Sequence, residues 1–132
     1  MSSLNELWDG NAPTIRGKTA IIGAGKSDVG RVPGKSVLAL AAQAASAALS
    51  DAGIGRDAID GVLASASFAS PFHRFSVAFS EYFGLAPTFS NTLQVSGATA
   101  ATMFNLAAAA ISGGLARDPH RRVRQPLFWP DA

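Results

Sequence analysis

At 132 residues, with 48% hydrophobic and 15% charged side chains, the composition is that of a globular chain and excludes disorder throughout. That length is enough for one domain burying roughly 65–70% of its unfolded surface. The chain has no cysteine, which excludes disulfides, thiolate metal ligands and a cysteine nucleophile. The net charge of +2 is local: Met1 to Ala116 carries seven Lys/Arg and seven Asp/Glu, and the excess comes from Arg117, Arg121, Arg122 and Arg124 against Asp118 and Asp131. A basic tail can meet nucleic acid or a membrane, but no basic face with interleaved aromatics exists in the body. The reading is therefore incidental charge on an unstructured end, with no nucleic-acid partner.

Residues 1–17 form a leader with Gly10 and Pro13. Glu6 and Asp9 and the lack of an apolar core exclude a secretory signal. Thr19 to Gly23 is β-branched, apolar and closed by glycine, which predicts a buried strand. Gly25 to Lys35 is a loop, since its glycines and Pro33 forbid a long helix. Ser36 caps the next helix, and Val37, Leu40, Ala41, Ala44, Ala48 and Leu49 recur at helical spacing up to the terminator Gly53. A short turn at 57–60 leads to a second strand, Val62 to Ser65. Pro71 opens a second helix with an aromatic stripe at Phe72, Phe75, Phe79, Tyr82 and Phe83, ended by Gly84. Phe89 to Val95 is a third strand.

Ala98 to Ile111 is a third helix, apolar nearly all round, which predicts burial on every side. It is too short for the ~20 residues a bilayer span requires, so no membrane span is expected. The order β-α-β-α-β-α argues an α/β fold with a mainly parallel sheet. Residues 116–132 form a tail with three prolines, four arginines and no period. It reads as disordered, either a shifted frame or truncation or a natural divergent end.

Few residues offer chemistry. Ala20-x-x-x-x-Gly25-Lys26-Ser27 fits a relaxed phosphate-loop pattern, but Asp28, Gly30, Pro33 and Gly34 prevent the helix whose N-terminus would hold phosphate. Asp28 also stands where the third glycine of a dinucleotide fingerprint would be. His73, beside Arg74 on the aromatic helix, reads as structural, and His120 lies in the tail. Two histidines and no cysteine leave no metal cluster in view. Ser96 would need a base to serve as a nucleophile.

The stretch Asn91 to Gly114 joins a short apolar strand, a small-residue turn and an Ala-rich helix stopped by Gly113-Gly114. This resembles the nucleophile turn of the thiolase superfamily, whose turn is usually Cys-x-Ser-Gly. Laid on that pattern, Gly97 takes the cysteine's place, and Ala98, Thr99 and Ala100 follow. Arg16 to Gly25, Val29-Gly30-Arg31, the helix from Ser36 to Ala52, Asp51 to Ile54 and Asp57 to Leu63 are similar, in order, to the opening of sterol-carrier-type thiolases and their lipid-transfer relatives.

The resemblance covers about Arg16 to Leu115. It implies a truncated, thiolase-like half fold (residues 18–115) and a parent chemistry that makes or breaks a carbon–carbon bond beside a coenzyme A thioester. No cofactor is implied beyond that acyl-CoA substrate. The third helix would lie between two sheets, and the phenylalanine stripe near an acyl pocket and a dimer surface. Catalytic residues are none, with Gly97 a vacated nucleophile position or simply a glycine that allows the turn. A cytoplasmic chain, inactive alone, is expected. Alternatively it is a non-catalytic subunit that completes an acyl-CoA site with a partner chain. A homodimer or hetero-oligomer is expected.

Overall fold

The computed structural model describes residues 15–69, 71–116 and 126–129. The leader up to residue 14, His120 and the four tail arginines lie outside the described residues.

The first helix, α1, spans Val37–Ala52. Ser36 sits before it in extended conformation, and its Oγ accepts from Ala39 N at 3.1 Å. Gly53, at φ 68°, ends it by donating back to the carbonyls of Leu49 and Ser50. A 3-10 turn at Arg56–Ala58 leads into β1, Gly61–Ser65. Then come α2 (Phe75–Phe83), β2 (Phe89–Leu93), a 3-10 turn at Ser96–Ala98, α3 (Thr99–Gly113) and β3 (Pro126–Trp129). The sheet order is β2-β1-β3, and both pairings are parallel. Helical crossovers between successive strands give that arrangement, so the α/β parallel fold stands as expected.

All five residues of β1 are buried, as a central strand covered on both faces must be. Val62 and Ala64 meet Ala41, Ala45 and Leu49 of α1 and Phe75, Phe79 and Phe83 of α2. Leu63 points the other way, against Met103 and Ala107 of α3. The result is three layers, with the sheet in the middle. Phe79 and Phe83 stack at 5.2 Å between centroids, and the Arg56 guanidinium lies 4.9 Å over the Phe83 ring while donating to the Phe83 carbonyl.

Four expectations are corrected. Thr19 to Gly23 is not a strand: it runs as irregular chain with Ile21 and Ile22 exposed, because β-branched residues favour a ladder but do not supply a partner. The second helix begins at Phe75 rather than near Pro71, so Phe72 and His73 sit in the loop before it, and Tyr82 turns outward. Helix α3 is not buried on every side: Ala100, Ala101 and Phe104 face water. Within the tail, residues 126–129 pair with β1, with Pro126 in the first position, where a missing N–H is best tolerated in a strand.

Candidate functional site

A parallel sheet brings the carboxyl ends of neighbouring strands side by side. Here Ser65 of β1 is paired with Leu93 of β2, and Ala66 N donates to Leu93 O at 3.2 Å just beyond. The chain leaving β1 (Ala66 to Phe68) and the chain leaving β2 (Gln94 to Gly97) therefore diverge from one point. The first turn of α3 closes the third side. Between them lies an open cleft of about 450 Å³. Ser65, Gln94, Ser96 and Thr99 give it polar atoms, and Phe68, Ala66 and Ala100 give it apolar surface. Phe68 is 94% exposed, an aromatic ring at the edge of the cleft with little packing of its own.

Gly97 lines this cleft, where the sequence placed the vacated nucleophile position. A Cβ built on it would meet nothing within 4 Å, and its backbone does not use the left-handed region. The place a side chain would take is open. The neighbouring Ser96 carries the backbone strain instead. At φ 51° it is the one non-glycine in the left-handed region among the described residues, a conformation that costs on the order of 1 kcal/mol. Thr99 holds the turn: its Oγ1 accepts from Val95 N at 2.9 Å and donates to Ser96 O at 2.7 Å. Sequence reasoning named Thr99 only as a register position, not as this staple.

The turn also leaves backbone donors ahead of the helix. Its ladder begins at Ala98 N, which donates to Val95 O, so the amides of Ser96 and Gly97 precede it. Ala98, the residue before α3, supplies no side-chain cap. Ser96 and Gly97 both line the cleft. No acid or base stands among the lining residues. Ser96 lines the cleft with no base among the other lining residues, and the Ser65 Oγ donates to Ala66 O. His73 lies in the loop before α2, apart from the lining residues.

A clear shift of acidity lies elsewhere. Asp28 is held below the ordinary carboxylate value by hydrogen bonds with Lys35 and Gln43 and by the Lys35 charge. Lys26-Ser27 opens no helix, and Ser27 Oγ donates to its neighbour's carbonyl, so no phosphate cradle forms there. Among the described residues no group of three or more His, Cys, Asp or Glu is placed to hold a metal ion, and no helix is long and apolar enough to cross a membrane.

No protein-family profile and no curated protein matches the chain. Solved structures do. An Ltp2–ChsH2(DUF35) aldolase superposes with a TM-score of 0.62 at 28% identity, over 74% of this chain and 25% of the other. A monomeric SCP2-thiolase-like protein type 1 from Mycobacterium smegmatis gives 0.58 at 23% identity, over 73% of this chain and 21% of the other. The 3-oxoacyl-[acyl-carrier-protein] synthase III from Aquifex aeolicus gives 0.55 at 17% identity, over 64% and 28%. The last two are likenesses of fold. The chain spans about a quarter of the length of these structures.

Proposed function

We propose that this chain, related to the thiolase superfamily, holds an acyl thioester non-covalently in the Gly97 cleft and does not attack it. One observation carries the reading. The strand-to-helix turn is built and stapled as a reactive turn would be, yet its central position is a glycine with open space where a side chain would stand. The amides of Ser96 and Gly97 offer hydrogen bonds to a thioester carbonyl, and Phe68 and Ala100 offer apolar cover to the acyl group. With no cysteine in the chain and no base in the cleft, no acyl-enzyme forms and the thioester is left intact.

Replacing Gly97 with cysteine tests the chemical half of this reading. The substitution meets no neighbour, so Gly97→Cys folds as the parent does and its thiol reacts with iodoacetamide. Without a base the thiol keeps a pKa of about 8.5, so no carbon–carbon bond cleavage in acyl-CoA rises above background. Turnover of acyl-CoA well above background by this variant, or by the parent, rejects the reading.

A second reading has a partner chain complete the site. The aldolase neighbour is named as a complex of two components, and Phe104 and Ala101 of α3 stand exposed beside the Ala100 edge of the cleft. In this reading the partner supplies the acid or base that the cleft lacks. A stable hetero-oligomer on copurification, with light scattering at its combined mass, supports it; a monodisperse monomer from the native host contradicts it.

A further inference from the structure

Residues 19–23 have the sequence of a strand and no ladder. Thr19, Ile21 and Ile22 are β-branched, yet Ile21 is 75% and Ile22 46% exposed, and the segment joins no sheet. It is nevertheless held against the fold. A Cβ added at Gly23 or Gly25 would collide with the backbone of Ala48 or Ala44, so both glycines lie flush on α1. Ala24 N donates to Asp51 Oδ2 at 2.9 Å on the same helix. That helix covers β1 through Ala41, Ala45 and Leu49 and also touches β3. Ala44 and Ala48 lie three residues on from Ala41 and Ala45, so the glycine bed is the flank next to the row that covers the sheet. From that anchor, the four residues 19–22 reach roughly 13 Å when extended, the length of a four-residue ladder.

The edge of β1 opposite β2 is held by a short strand. Its register runs from Gly61↔Pro126 to Ala64↔Trp129, four pairs against five with β2. Its first residue has no N–H to give. A four-residue strand that starts on proline holds the edge less firmly than one of full length with every donor in place.

We propose that residues 19–23 and residues 126–129 are alternative occupants of this one edge of β1, exchanging within the folded chain. In the structure 126–129 is in place and the isoleucines face water. When 19–23 enters, Ile21 and Ile22 point to opposite faces of the sheet, one toward the α1–α2 layer and one toward α3, and both leave water. Gly23 and Gly25 keep their bed on α1 in both arrangements, so the exchange turns about a fixed point.

Amide hydrogen exchange on the full-length chain tests this. Phe128→Pro breaks the ladder of 126–129. The amides of residues 20–22 are then expected to gain protection by about tenfold or more, while β1 stays protected. Ile21→Pro is expected to be nearly silent in the parent and strongly destabilising in the Phe128→Pro chain, a non-additive pair. Additive effects, or residues 20–22 remaining at solvent rates while β1 loses protection, overturn the proposal. Should Phe128→Pro fail to fold, Ala20→Val in the intact chain decides. Ala20 is exposed, so the larger side chain clashes with nothing and only raises strand preference. Protection should rise at 20–22 and fall at 126–129. Unchanged rates at both segments overturn the exchange.

Discussion

Phe75→Ala is expected to lower stability by about 3–5 kcal/mol, the range for emptying a fully buried aromatic site. Phe75 is 1% exposed and is the largest fully buried side chain among the described residues. It opens α2 and packs with α1 and with Val62 and Ala64 in the core cluster on one side of β1. The neighbouring backbone has little freedom to collapse into the space. Ser76 N, one residue on, donates to Thr92 Oγ1 at 3.0 Å, and Thr92 Oγ1 donates to Ser76 Oγ at 2.9 Å, which pins the helix start to β2. Small domains have roughly 5–15 kcal/mol in total, so the loss is a large share of it. The control is Tyr82→Ala on the outward face of the same helix, expected within about 0.5 kcal/mol of the parent. Denaturant midpoints measure both. Equal effects at the two positions would mean that α2 does not face β1 as described.

Gly25→Ala is expected to cost about 1–3 kcal/mol, although glycine to alanine is often stabilising. A single methyl at Gly25 would fall on the carbonyl of Ala44 and the amide of Ala48, both backbone atoms inside α1. Helix backbone cannot yield without losing its own hydrogen bonds, so the loop must lift away. The bond from Ala24 N to Asp51 Oδ2 would go with it, and the Ala24 amide should exchange faster. Gly113→Ala is the contrast. It lies in the last turn of α3 with open space around it, and the change should be neutral or stabilising by up to about 1 kcal/mol. Gly25→Ala matching Gly113→Ala would place residues 23–25 away from α1.

Which parts were legible from sequence follows from how local their causes are. Helix α1 was readable because its start and stop are written beside it, a serine cap at Ser36 and a left-handed glycine at Gly53. Strand β1 was readable from Val62 to Ser65, one residue short of its observed start at Gly61, because every residue is apolar or small between turn residues. Thr19 to Gly23 has the same local signature, but a strand exists only where a neighbour pairs with it, and the edge is taken by residues 126–129. That partner strand was illegible because a Pro-bounded tetrad in an arginine-rich tail carries no period.

The exposed face of α3 was hard to read because alanines fill most of the helix and only Thr102, Asn105 and Ser112 mark its outward side. At the site, Gly97 was located through the resemblance of its turn. Phe68, Gln94 and Ser65 were not, since parallel pairing of β1 and β2 brings together residues some thirty positions apart in the chain. The order of a strand, a crossover helix and a second strand was the signal that could have found them, because loops at the carboxyl ends of such strands gather at one place. The strain at Ser96 had no sequence signal, as serine is not a usual left-handed residue.

Calorimetric titration of the chain with acyl-CoA, followed by assay of free thiol, tests thioester holding at Gly97 most directly. The absence of cysteine makes the second step clean, because any thiol that appears is coenzyme A released from the thioester. The expected result is saturable binding at one site per chain with no thiol released. Gly97→Phe, which fills the open space in the cleft, should abolish the binding while leaving the melting temperature within a few degrees. Absence of binding at millimolar acyl-CoA, binding that survives Gly97→Phe, or thiol release in step with binding would each contradict it.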